Sequence, residues 1–168
     1  SLIQDSRHMT EILENWIENR RLPIVDLAGM AATLSPAQMQ TRMEQARTSD
    51  INFLRIALLD KEGTSIAYSP LVDEAGRSTI GKSFADRPYI LALKQTLKPM
   101  LSEVMVSRFS SPDPVVIMLA PVLSHEAYGG AVGGILRFDR IKTTLEMSSE
   151  GQNTLYALLD RNGNVNVT

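Results

Sequence analysis

The sequence predicts an α+β domain: a long N-terminal helix packed on a five-stranded antiparallel sheet, with the start of a second sheet module behind it. Three observations lead there. The first fifty residues space their apolar positions as helices do. The middle of the chain alternates short β-rich runs with turn residues around a single helical segment. The strand-and-turn string Ala57-Leu58-Leu59-Asp60-Lys61-Glu62-Gly63 returns as Ala157-Leu158-Leu159-Asp160-Arg161-Asn162-Gly163.

Met9, Ile12, Leu13, Trp16 and Ile17 fall on one helical stripe, with Glu11, Glu14, Glu18, Arg20 and Arg21 filling the remaining positions. Pro23 is expected to interrupt this helix, because it removes an i→i−4 hydrogen bond and crowds the preceding turn. Residues 24–34 resume the pattern, and Ser35-Pro36 ends it. Ser35 then caps a third helix running to about Thr48, with Pro36 in the first turn, where its missing N–H costs nothing.

Residues 52–59 read as a strand, 60–63 as its turn and 64–68 as the returning strand, Gly63 supplying the positive φ of a tight turn. A polar connection over 70–81 leads to Asp86-Arg87-Pro88, which opens a helix over 88–97 with Asp86 as its expected cap. Three more strands are expected over 101–109, 115–120 and 131–138, followed by a helix over 141–149. Short connections and unequal alternation suit an antiparallel sheet crossed by a helix on one face, a PAS-like arrangement. The expected organisation is a helical region over 1–50, the sheet module over 51–140, and a connecting helix with the first strand of an incomplete second module over 141–168.

The 168 residues are 43% hydrophobic, enough for one substantial core, and the net charge of −2 is spread without a basic patch for nucleic acid. With no cysteine, disulfides and thiolate chemistry are excluded. His8 and His125 stand far apart and away from acid clusters, so no metal site is expected. Gly129, Gly130, Gly133 and Gly134 lack the spacing of a phosphate loop and read as a turn plus a strand that approaches its neighbours closely. No Gly-x-Ser-x-Gly elbow or set-off carboxylate pair is present, and neither an enzyme nor a cofactor is expected.

Three segments carry a family resemblance: Ser83-Phe84-Ala85-Asp86-Arg87-Pro88-Tyr89, the run from Pro114 through Val115-Val116-Ile117-Met118-Leu119-Ala120 to Pro121, and Gly129-Gly130-Ala131-Val132-Gly133-Gly134-Ile135-Leu136. Together they resemble the double Cache sensor domain, the extracytoplasmic ligand-binding region of bacterial chemoreceptors, sensor histidine kinases and cyclic-dinucleotide enzymes. The resemblance covers about residues 2 to 168 and makes the repeat the start of two successive modules. It implies a small-molecule ligand in the first module, with Arg87 binding a carboxylate and Tyr89 packing beside it. The start of a helix also favours an anion on physical grounds, and a charged hydrogen bond there contributes about 1.5–3 kcal/mol. Phe84, Tyr68, Ser107 and Arg108 are the further pocket candidates.

The amino-acid-binding branch of that family has a second aromatic at the position of Ile90 and an acid late in the last strand, which aligns with Leu136 here. An α-amino acid would then leave its ammonium unpaired, so a small carboxylate or another polar metabolite without an ammonium is expected. The resemblance places the domain on the periplasmic or extracellular face of a bacterial inner membrane, anchored by segments outside this sequence. The Trp16-bearing stripe is broad enough for a two-helix interface, so a homodimer through the N-terminal helix is expected. The competing reading is a cytosolic PAS-like or GAF-like dimerisation scaffold without ligand, its pocket filled by Phe84, Tyr89 and Phe138.

Overall fold

The structure, a computed structural model, describes residues 2–106 and 114–144. Its elements are α1 (Leu2–Ala31), α2 (Pro36–Ser49), β1 (Phe53–Asp60), β2 (Ser65–Ser69), α3 (Pro88–Thr96), β3 (Met100–Leu101), β4 (Met105–Val106), β5 (Pro114–Ser124), β6 (Ala127–Arg137) and α4 (Phe138–Thr144). The second copy of the strand-and-turn string lies outside the described residues.

Helix α1 is continuous through Pro23, where the sequence predicts a break. Trp16 and Ile17 before the proline and Ile24, Leu27 and Ala28 after it all enter one core. Burying each large side chain contributes about 1.5–3 kcal/mol, and several of them together outweigh the roughly 3 kcal/mol cost of an internal proline. The Trp16 stripe expected to serve a two-helix interface is therefore spent inside the chain, against the sheet and α2. Arg20 covers its edge, with the guanidinium 4.4 Å from the Trp16 ring centroid, one N–H donated to the Trp16 carbonyl at 3.1 Å, and Asp50 at the end of α2 3.1 Å away. Helix α2 begins as expected: the Ser35 hydroxyl accepts the Gln38 N–H at 3.2 Å, and the Gln38 side chain accepts the Ser35 N–H at 2.9 Å.

All strand pairs are antiparallel, in the order β2-β1-β6-β5-β3, with β4 also on β5 beyond β3. The sheet is thus five positions wide, as expected, but its last position is divided between two short strands. Between them the Ser102 side chain takes over the work of the backbone. Its N–H donates to the Ile117 carbonyl at 2.8 Å and its hydroxyl accepts the Ile117 N–H at 2.8 Å, so the ladder is satisfied while the strand pairing lapses. The hairpin turn after β1 is as expected, with the Asp60 carboxylate accepting the Glu62 and Thr64 N–H groups at 3.0 and 2.9 Å and Gly63 at φ 85°. Helix α4 starts at Phe138, three residues before the expected point, and the later part of the expected helix lies outside the described residues.

Alternation along the strands divides the interior in two. Phe53, Ile56, Val116, Met118, Val132 and Leu136 face α1 and α2. Ala57, Leu59, Ile117, Leu119 and Ala131 face Ile90 and Leu93 of α3. Gly130 adopts φ 144°, and a Cβ there would collide with the Leu59 carbonyl oxygen, the close approach its glycine run predicts, but Gly129 and Gly130 lie within β6 and the expected turn falls earlier, at His125 and Glu126. Two substitutions test this packing by urea unfolding. Gly130→Ala is expected to destabilise by about 1–3 kcal/mol. Gly29→Ala, in helical backbone with open space around it, is expected to stabilise by about 0.5–1 kcal/mol.

Candidate functional site

The α3 side of the sheet has an apolar floor that turns polar toward one end. There Arg55 of β1 lies directly opposite Ile135 of β6, and Tyr68 of β2 lies opposite Ala57, one diagonal step from Arg55. Arg55 alternates with Ala57 and Leu59, so it belongs to the face that carries α3. Its guanidinium donates to both oxygens of Glu74, at 2.7 and 2.8 Å, and is 20% exposed where Glu74 is 53% exposed. Glu74 stands in the connection between β2 and α3, beside the turn made by Asp73, whose carboxylate accepts the Ala75 and Arg77 N–H groups and meets Lys82 at 3.3 Å.

The Arg55 hydrogen bond holds the Glu74 carboxyl below the usual glutamate range. Desolvation works against the charge on Arg55, yet Glu74 and Tyr68 leave its pKa raised. Burial pushes the Tyr68 phenol up, with Arg55 opposing, and burial pushes Tyr89 up to about 12. Both phenols therefore keep their protons at neutral pH and can donate a hydrogen bond to an anion.

Tyr68 is 5% exposed and is held from behind. The Gln40 side chain of α2 accepts its backbone N–H at 2.8 Å and donates to its carbonyl at 2.7 Å, completing the outer edge of β2. Arg47 donates to the Ser69 hydroxyl at 2.6 Å. At the other end of β2, Ser65 pairs by backbone hydrogen bonds with Gly81 and Lys82, which lays the connection against the strand.

Arg87 is the N-cap residue of α3 and is exposed, with its guanidinium 5.9 Å from the Phe84 ring centroid. Asp86 does not cap the helix as expected, because it sits one residue too early and the N-cap position makes no side-chain hydrogen bond. Tyr89 and Phe84 are partly buried against the α3-side cluster, and Arg87 lies within charge range of Tyr89. The structure thus groups Arg87, Tyr89, Tyr68 and Phe84 around one end of α3. Ser107 and Arg108 lie outside the described residues. Phe138, expected beside Phe84 and Tyr89 in a filled pocket, packs instead in the cluster on the α1 side.

Leu136, the position aligned with an acid, is also on the wrong face: it is fully buried toward Phe53 and α1. The register turns Ile135 toward α3, so the site-facing residue is again apolar. Arg55 and Glu74 were missed by sequence reasoning. The signal for Arg55 was present, an arginine in period-two alternation within the otherwise apolar string Phe53-Leu54-Arg55-Ile56-Ala57-Leu58-Leu59. Glu74, in an irregular connection, had no pattern to reveal it.

A shallow groove along α2, lined by Leu34, Gln38, Thr41, Arg42 and Gln45, is separate from this site. Among the described residues no group of His, Asp or Glu side chains is placed to hold a metal ion, and no helix is long and apolar enough to cross a membrane.

No protein-family model matches the sequence, and no curated protein matches it. Solved structures do. The ligand-binding domain of the Pseudomonas aeruginosa PAO1 amino acid chemoreceptor PctB in complex with L-Gln is similar at 23% identity and TM-score 0.72, over 89% of this chain and 60% of that one. The ligand-binding domain of the same organism's amino acid chemoreceptor PctC in complex with GABA is similar at 19% identity and TM-score 0.70, over 86% and 66%. That of the Pseudomonas fluorescens chemoreceptor CtaA in complex with L-isoleucine is similar at 20% identity and TM-score 0.68, over 90% and 57%. The chain spans about 60% of the PctB structure it matches. These likenesses bear out the α+β fold, a long helix on a PAS-like antiparallel sheet.

The ion pair gives a pH prediction. A carboxyl whose folded pKa is depressed adds stability that is present above its unfolded pKa and is lost as pH falls through the folded value. An NMR titration is expected to find the Glu74 carboxyl below the ordinary glutamate range, and Arg55→Gln is expected to return it to that range.

Proposed function

We propose that this chain is the extracytoplasmic, ligand-binding part of a membrane-anchored bacterial receptor, and that it binds a small anionic metabolite between the sheet and the start of α3. The observation that carries the reading is Arg87. It stands at the N-terminus of α3 beside Tyr89 and, among the described residues, makes no ion pair, while Asp73 in the connection before α3 is engaged with its own turn and Lys82. A guanidinium at a helix N-terminus, next to a partly buried phenol that keeps its proton, can take a carboxylate in a bidentate pair. The receptors of similar fold bind L-Gln, GABA and L-isoleucine. With apolar Ile135 on the floor, a carboxylate without an α-ammonium suits this site better than an amino acid does.

Signalling would start with the segment from Pro70 to α3 settling on the ligand. Tyr68 is the route to the helical layer, because Gln40 of α2 grips its backbone and α2 packs on α1. The ligand must favour one of two arrangements for this to transmit anything. A homodimer through α1 would use the side away from the sheet, where Ile12, Leu22 and Met30 are exposed.

A thermal-shift screen of the chain and its Arg87→Ala variant against small carboxylates, amino acids, amines and nucleobases tests the reading. A ligand at a hundred times its dissociation constant stabilises by about 2.7 kcal/mol. The expected result is a carboxylate that raises Tm in the parent chain and fails to do so in Arg87→Ala. A folded protein that no compound stabilises would favour the ligand-free scaffold.

A further inference from the structure

We propose that Arg55 is a second anion anchor of this pocket, so that the ligand is a short dicarboxylate whose second carboxylate takes the place Glu74 holds on Arg55. The inference rests on reading the α3 side of the sheet as the ligand site, and it adds the chemical class of the ligand.

The floor of the site has a definite sign. Arg55 faces α3 from β1 opposite Ile135, and the residues that share its face further along β1, Ala57 and Leu59, are apolar. Arg137 follows Ile135 by two residues on β6 and therefore shares its face, beyond the register shift that separates Phe53 from Arg55 on β1. Two guanidinium groups thus come from neighbouring strands at the same end of the floor, and Arg87 stands at the start of the helix above. The phenols of Tyr68 and Tyr89 lie between, Tyr68 interacting with Arg55 and Tyr89 with Arg87.

The counter-charge of Arg55 does not belong to the sheet. Glu74 reaches it from the connection before α3 and is 53% exposed. Solvent therefore competes for the Glu74 side of the pair. A ligand carboxylate can replace the Glu74 carboxylate like for like, leaving the guanidinium paired and every strand hydrogen bond intact. An ammonium at the same place would meet Arg55 and Arg137 as like charges, with Ile135 offering it no partner.

Isothermal titration calorimetry separates the possibilities, using malonate, succinate and glutarate, the monocarboxylates of the same lengths, and 4-aminobutyrate. The expected result is a dicarboxylate bound at least about tenfold more tightly than its monocarboxylate and than 4-aminobutyrate. Arg55→Gln should reduce the dicarboxylate to the level of the monocarboxylate and cost the monocarboxylate far less than it costs the dicarboxylate. Glu74→Gln, which removes the internal competitor, should tighten the dicarboxylate several-fold, an effect that a purely structural ion pair would not produce. Equal binding of di- and monocarboxylates, or an equal loss of both in Arg55→Gln, overturns the second anchor while the carboxylate site stands. Tighter binding of 4-aminobutyrate overturns it as well. If no carboxylate of the series binds the folded parent chain, the ligand reading falls and the second anchor falls with it.

Discussion

Strand β6 is paired along both of its edges, with β1 on one side and β5 on the other, and the rest of the molecule depends on that double register. Side chains alternate with a period of two, so a slip of one residue on either edge would exchange the two faces of the sheet. It would turn Leu136 out of the α1 core and Ile135 into it. A one-residue slip of β1 would instead carry Arg55 away from α3, into an apolar layer where a charge is costly to bury. Gly130 helps fix the register, because no side chain fits against the Leu59 carbonyl at that step of the ladder.

The two faces do different work. Toward α1 and α2 the sheet builds a layer of large buried side chains, and the burial there is sufficient to carry a helix straight through Pro23. Among the described residues, the cover toward α3 is one nine-residue helix and an irregular connection, and the polar groups gather where that cover ends. Edge strand β2 joins the two sides. Its outer hydrogen-bonding groups are met by Gln40 near one end and by the Gly81–Lys82 backbone at the other, so Tyr68 sits between the helical layer and the site. A displacement of Tyr68 would have to be felt at Gln40, since two backbone hydrogen bonds connect them.

Signals carried by a few neighbouring residues were mostly legible. The Ser35 cap with Gln38 three residues on and the Asp60 turn closed by Gly63 follow from local chemistry, whereas Asp86, expected to cap α3, sits one residue before the N-cap position. Features decided at long range were not legible. The continuity of α1 depends on a core assembled from β5, β6 and α2, and the lapse of pairing between β3 and β4 depends on a Ser102 bond to Ile117 fifteen residues away. The site divides in the same way. Arg87, Tyr89 and Phe84 share one short motif and stand out together. Arg55 meets Glu74 only because β1 and the connection before α3 are brought together by the fold, nineteen residues apart in sequence. Ile135 could be told from Leu136 only once the register with Arg55 was known.

The central claim is that the α3 side of the sheet is the ligand face and the α1 side is scaffold, and methyl-resolved NMR during a titration with succinate reads both faces at once. A ligand beside Arg55 predicts that the methyl signals of Ile135 and Ile117 move with saturating dependence on succinate, while those of Leu136, one residue from Ile135, and Val132, three residues from it, both on the opposite face, stay in place. Shifts concentrated at Leu136 and Val132, or no saturable shift at Ile135, would contradict it.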